Sequence, residues 1–355
     1  MHLRVVLRAP GGDEVTRDTG DGLWAEPWGT PEQVTPVDSW ALPGLVDAHA
    51  HLARGSMDLR PGDLDAARQQ ATEALEAGVG LILDKGWRDL TVVQLSENVP
   101  PGERPDIEAA GVVCAVDGGF WEGFARNVLP GGIGSAVAMA ADEGQGWVKL
   151  IGDWPRKGVG PVSNFDEDEL VEAVATAGAG QARVAIHTMG REVPSMAVRA
   201  GVQSIEHGLF LSPEDLGALG ARGGIWVPTV IQMEATIRQL GSGSSGGRLL
   251  TEGMGNVAVN LAIAVESGVN VLTGTDLVIG SNQVANEAIR LWELGMAPAA
   301  AVDAVSGAGL RATGRRDDFA VGEPANAVLF PEDPTADPRV LAHPSHVIRM
   351  GRIVE

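Results

Sequence analysis

The sequence predicts an α/β fold: a barrel of eight strand-then-helix units beside a small β-domain built from both chain ends. Three observations carry this prediction. Eight short apolar runs alternate with stretches rich in Ala, Leu and Glu between residues 44 and 314. Those runs lack the polar alternation of half-exposed strands, as expected of strands buried on both faces. The flanking segments, 1–43 and 315–355, read instead as short strands broken by glycine turns. Repeated units of this kind give a (β/α)8, TIM-type barrel, and the span 44–314 suits the ~250 residues such a barrel needs. A doubly wound open sheet is the alternative, but it usually carries a glycine-rich nucleotide loop after an early strand, and none stands here.

In the N-terminal segment, residues 3–7 and 32–37 are strand candidates, and Gly11-Gly12-Asp13 and Thr19-Gly20-Asp21-Gly22 are turns. The eight runs are 44–49, 79–84, 107–116, 146–151, 183–187, 204–210, 224–232 and 269–276. Helix starts lie between them. Asp63 is placed to cap a helix ending near Gly78. Ser163-Asn164-Phe165-Asp166 reads as a capping box before Leu170, Val171 and Val174. Ser212-Pro213-Glu214-Asp215 combines an N-cap, a first-turn proline and an acid at the third position. Gly241-Ser242-Gly243-Ser244-Ser245-Gly246-Gly247 reads equally as a flexible linker or as a lid over the barrel mouth. Strands are expected again at 325–331 and 346–355, pairing with the N-terminal segment into a small β-sandwich.

Composition excludes some functions. The chain has 355 residues, and a hydrophobic fraction of 44% supplies an ample core. A net charge of -21 repels nucleic acid and anionic membrane, so neither is expected as a partner. The single cysteine, Cys114, excludes an internal disulfide and suits a reducing cytoplasm. Its neighbours Val112, Val113, Ala115 and Val116 make it a core residue rather than a nucleophile. The first eight residues are too interrupted by charge for a signal peptide. No apolar run approaches the ~20 residues of a membrane span. Homo-oligomerisation is left open.

In a barrel of this type, chemistry sits where strands end. The first run ends His49-Ala50-His51, and residues two apart on a strand face the same side. The fourth carries Lys149, the fifth ends in His187, the sixth carries Glu206-His207, and the eighth ends Gly274-Thr275-Asp276. Four of the seven histidines thus fall at strand ends. One such histidine is ordinarily a hydrogen-bonded core residue. Four, with an aspartate and a lysine on separate strands, point to a metal site. Imidazoles and carboxylates suit zinc foremost, then manganese, iron or nickel.

These motifs carry a resemblance. Residues 43–52, Pro-Gly-Leu-Val-Asp-Ala-His-Ala-His-Leu, together with 200–208, Ala-Gly-Val-Gln-Ser-Ile-Glu-His-Gly, are similar to the first- and sixth-strand motifs of the amidohydrolase superfamily. Trp226-Val227-Pro228-Thr229 and Gly274-Thr275-Asp276 resemble its seventh- and eighth-strand motifs. The subgroup is the one with imidazolonepropionase-like and metal-dependent prolidase-like hydrolases. Residues 321–330 resemble the return into the small β-domain, with Asn326 where aspartate is usual. The resemblance implies two divalent ions, zinc preferred. One is held by His49, His51 and Asp276 and the other by His187 and His207, with N-carboxylated Lys149 as bridge. It implies hydrolysis of a carbon–nitrogen bond in a small molecule by a metal-bridging hydroxide, with Asp276 as proton shuttle. A glutamate three residues after the fifth-strand histidine often marks mononuclear deaminase-like relatives, and Gly190 stands there instead.

The alternatives are a mononuclear deaminase or cyclic amidine hydrolase on the same fold, and a non-catalytic scaffold. No tyrosine is present to hold an oxyanion. Arg54, Lys85, Arg88, Arg156, Lys157 and Arg191 are the basic residues expected near the mouth, any of them able to hold a substrate carboxylate. Phe120, Trp121 and Trp154 are expected either to wall the pocket or to pack against helices.

Overall fold

In the computed structural model, residues 2–34, 39–54 and 61–354 are described. The fold is mixed α/β, with parallel sheets consistent with a TIM-type barrel. Strands Leu45–Ala50, Val79–Asp84 and Asp106–Ala109 form one parallel sheet. A second sheet runs from Arg126–Asn127 through Cys114–Ala115, Trp147–Ile151, Arg183–Thr188, Ser204–His207 and Ile225–Val227 to Asn270–Val271, all parallel.

Two places join these sheets. The third predicted run, 107–116, divides. Its first part pairs with Val79–Asp84, and Cys114 pairs with Leu150 in the other sheet. The eighth run leaves its ladder after Val271 and turns to the first. The Ala48 N–H donates to the Thr273 carbonyl at 2.8 Å, and the Thr273 hydroxyl donates to the Val46 carbonyl at 2.9 Å. Strand propensity predicts a longer seventh run, but helix Val230–Leu240 begins two residues after Val227–Pro228.

Local chemistry explains the helix starts. The Asp63 carboxylate accepts the N–H groups of Asp65 and Ala66 at the head of Leu64–Glu76. Ser212 and Asp215 form a reciprocal box at the head of Pro213–Ala221, as expected. The other box sits at Asp166 and Glu169, three residues later than the sequence suggested. Ser163 instead closes an antiparallel hairpin, Asp153–Arg156 with Gly160–Ser163, that has no apolar signature of its own. Ser244, inside the Gly/Ser run, caps helix Ser245–Glu266.

Both chain ends enter one hydrogen-bonded sheet of eight strands. Leu3–Arg8 and Glu14–Gly20 pair antiparallel, and Trp40–Leu42 pairs with Ala327–Phe330. Leu3, Val5, Leu7, Trp24, Ala327 and Leu329 make its core. Of the strand expected at 32–37, Gln33–Val34 is present, and the positions from 35 onward lie outside the described residues. Cys114 is buried as predicted, and burial pushes its thiol up to about 11. Among the described residues no helix is long and apolar enough to cross a membrane.

Candidate metal centre

Strand direction decides where this site lies. Parallel strands deliver the ends of several runs to one edge, and loops beyond that edge wall a cleft. The cleft measures about 1340 Å³, and His49, His51, Lys149, His187, His207 and Asp276 all line it. All six residues proposed from sequence are therefore brought together.

One donor atom from each of His49, His51 and Asp276 lies within 4.8 Å of the others. His49 Nε2 is 3.7 Å and His51 Nε2 is 3.4 Å from Asp276 Oδ1. His207 Nε2 is 3.9 Å from Asp276 Oδ2 and 3.0 Å from His187 Nδ1. Lys149 Nζ and His187 Nε2 are buried with no hydrogen-bond partner. Buried polar atoms are rarely left so. The convergent donors of His49, His51 and Asp276, with two orphaned nitrogens lining the same cleft, fit a divalent metal site.

Protonation agrees with that fit, since ligands must offer free lone pairs. Burial takes His49 down to about 3, with the nearby Lys149 charge adding to it. Burial takes His207 to about 4, and lowers His187 with help from His207. Lys149 falls to about 8, burial again the largest cause. For Asp276, burial favours the neutral acid, but His49, His51 and His207 outweigh it and hold the carboxyl below the usual range.

Surrounding groups orient these side chains. His51 Nδ1 meets the Gly86 carbonyl at 2.7 Å, and His207 Nδ1 meets the Thr229 hydroxyl at 2.6 Å. Asp47 accepts the Thr275 hydroxyl at 2.6 Å and the N–H groups of His49 and Thr275. Asp84 accepts the N–H groups of Leu52 and Gly86. Asp153 accepts those of Met189 and Gly190, just past His187. Glu287 accepts those of Val230 and Ile231, just past Thr229. Three of these strand-end residues, His207, Thr229 and Asp276, have positive φ (65°, 46° and 53°). Non-glycine residues hold that conformation at a cost, and it is common where function fixes geometry.

Sequence reasoning missed most of this outer layer. Asp47, Glu206 and Thr229 stood inside the quoted motifs and Asp84 ends the second run, a strand-end signal that was passed over, whereas Asp153 and Glu287 carry no motif to mark them. The basic residues divide. Arg54, Arg156 and Arg191 line the cleft; Lys85, Arg88 and Lys157 do not. Lys85 is buried beneath the centre because its side chain turns inward to Glu206. Phe120, Trp121 and Trp154 do line the cleft and touch one another, with ring centroids 4.5 to 5.1 Å apart. Trp154 also lies 5.7 Å from the His187 ring. Ser244, Ser245 and Gly246 reach the same cleft, so the Gly/Ser run sits at its wall.

Comparison with known proteins agrees with this architecture. The model of the Amidohydrolase family matches residues 158–354. An uncharacterized protein of Mycobacterium tuberculosis is 33% identical over 334 residues, covering 88% of this chain and 85% of that protein. Among solved structures, a Xaa-Pro dipeptidase with bound methionine in the active site superposes with a TM-score of 0.83 at 20% identity, covering 100% of both chains. The ochratoxinase of A. niger superposes with a TM-score of 0.79 at 16% identity, covering 99% of this chain and 95% of that one. The chain belongs to the amidohydrolase family, hydrolases acting on carbon–nitrogen bonds.

Proposed function

We propose that this protein is a metal-dependent hydrolase of a carboxylate-bearing amide, a dipeptide or N-acyl amino acid. His49, His51 and Asp276 would hold one divalent cation, His187 and His207 a second, and Lys149 as its carbamate would bridge them. The observation that carries this reading is the pair of orphaned buried nitrogens, Lys149 Nζ and His187 Nε2, in one cleft with the His49, His51 and Asp276 donors. A single-ion centre would leave both without a task. We further infer that the two parallel sheets close into a barrel, on the support of the hydrogen bonds between the first and eighth runs.

Bound cations would supply a hydroxide nucleophile at neutral pH and polarise the scissile carbonyl. The chain's own groups do the rest. Asp276 is held as the carboxylate, with Oδ1 toward His49 and His51 and Oδ2 toward His207, and Oδ2, with the single and longer contact, is the oxygen placed to take a proton and return it to the leaving nitrogen. Lys149, buried and lowered to about 8, is more readily deprotonated than an exposed lysine, and its neutral amine is the form able to take up carbon dioxide. Arg54 lines the cleft with a buried Nη1 that has no partner, and is the group placed to hold a substrate carboxylate. Phe120, Trp121 and Trp154 would receive an apolar side chain and keep water from it. The shared fold of a Xaa-Pro dipeptidase is in keeping with such a substrate.

The test is metal analysis of purified protein with hydrolysis assays on N-acyl amino acids, dipeptides and their C-terminal amides. The expected result is about two ions per chain, bicarbonate-dependent turnover, and a preference for free carboxylates that Arg54→Met removes. One tightly bound ion, with activity intact in Lys149→Ala, would overturn the binuclear reading in favour of the mononuclear one.

A further inference from the structure

Below the cleft lies a buried charge pair that the proposed chemistry does not use. Glu206 and Lys85 are 0% and 1% exposed. Glu206 directly precedes His207. Neighbours on a regular strand face opposite sides, yet Glu206 and His207 are both buried, and His207 departs from strand geometry with a φ of 65°. Glu206 Oε1 accepts the Ser204 hydroxyl at 2.6 Å and lies 3.3 Å from Lys85 Nζ. Glu206 Oε2 lies 2.7 Å from His49 Nδ1, off the line of a ring N–H bond, and neither atom has another partner.

Glu206 differs from the other buried carboxylates around the site. Asp47, Asp84, Asp153 and Glu287 all accept backbone N–H groups and so pin strand ends. Among the described hydrogen bonds Glu206 takes none; its contacts are all with side chains. Lys85 Nζ makes no hydrogen bond and is placed by its ion pair with Glu206 and by an aromatic ring. Its ammonium sits 4.3 Å over the Trp147 ring, against which Arg183 packs at 4.1 Å, and the Trp147 indole N–H donates to Glu108 at 2.8 Å.

We propose that Glu206, held by Lys85 and Ser204, is a positioning residue for His49. Its carboxylate takes the Nδ1–H, which fixes the tautomer and the ring so that the Nε2 lone pair faces the cleft. Carboxylates behind ligating histidines act in this way at metal sites generally. The inference rests on the metal reading above and goes beyond it in assigning the group that orients its first ligand.

The test is zinc affinity by chelator competition, with thermal melting of the metal-free proteins and 15N spectra of histidine-labelled metal-free protein. The Lys85→Met/Glu206→Leu double variant removes both charges, so no orphan ion is left behind. It should bind zinc about 10- to 100-fold more weakly while its metal-free form melts near wild type. Glu206→Gln, which keeps one acceptor oxygen, should recover part of the loss. In wild type His49 should carry its proton on Nδ1, and in the double variant on both nitrogens in exchange. Unchanged zinc affinity, or an unchanged His49 tautomer in the double variant, overturns the proposal while leaving the metal reading intact. Wild-type protein that binds no zinc or other divalent ion overturns both. If the double variant misfolds, the tautomer and affinity of Glu206→Gln decide alone: wild-type values for both overturn the proposal.

Discussion

The backbone N–H of Asp276 donates to the carbonyl of His49 at 2.7 Å. With the bonds Thr273 makes to Ala48 and Val46, it ties the first strand run to the last, and it sets two proposed ligands of one ion beside each other. An isolated parallel bridge between Ala50 and Asp276 marks the same contact. The seam is short, and side chains reinforce it, which makes its energetics testable.

Asp47 is the first of those reinforcements. Its carboxylate satisfies the Thr275 hydroxyl and two backbone N–H groups. Asp47→Ala leaves these donors buried without a partner, so unfolding free energy should fall by more than about 2 kcal/mol. Urea denaturation measures this, and a change below about 0.5 kcal/mol would show that the seam does not depend on Asp47.

Asp276→Asn should separate folding from chemistry. Asparagine tolerates positive φ and keeps the backbone bond to His49. Its amide cannot hold the transferred proton, so kcat/KM should drop by at least about 100-fold with an unchanged circular dichroism spectrum. Near-wild-type turnover would remove Asp276 from the proton path.

Gly274 is a steric requirement of the centre. A Cβ there would lie 2.6 Å from His49 Cβ and 2.6 Å from Val227 Cγ1. Gly274→Ala should therefore push His49 aside, costing about 1–3 kcal/mol of stability and weakening metal binding in the same variant. Calorimetry and chelator competition read the two effects, and wild-type metal affinity in a destabilised variant would contradict the account.

Glu287 predicts a pH dependence of stability. Burial pushes its carboxyl up to about 8 in the folded chain, against about 4.3 when unfolded. Between those values the folded state binds the extra proton, so this group's contribution to stability falls as pH rises. Glu287→Gln cannot ionise, so its Tm should vary less than that of wild type between about pH 5 and 8. Parallel Tm profiles for the two proteins would refute the assignment.

The proposed ligand set was legible because it lies in contiguous motifs. His49 and His51 share a face by strand periodicity, Glu206-His207 lies within a run that reads as a strand, and Thr275-Asp276 ends another. Other features left no local trace. The hairpin at Asp153–Arg156 and Gly160–Ser163 has no apolar alternation to announce it. The helix cap moved from Ser163 to Asp166 because Glu169, not a residue nearer Ser163, completes the box. The inward turn of Lys85 depends on a carboxylate and an indole from other strands.

By itself the sequence determined the α/β class of the fold and pointed to six candidate donors that line one cleft, because backbone periodicity and residue type are local properties. Only the tertiary structure decided that Asp276 hydrogen-bonds beside His49, that Glu206 rather than solvent faces its Nδ1, and that Arg54 keeps a free buried nitrogen in the cleft. Those are relations between strands distant in the chain, and they are set by how the sheets pack.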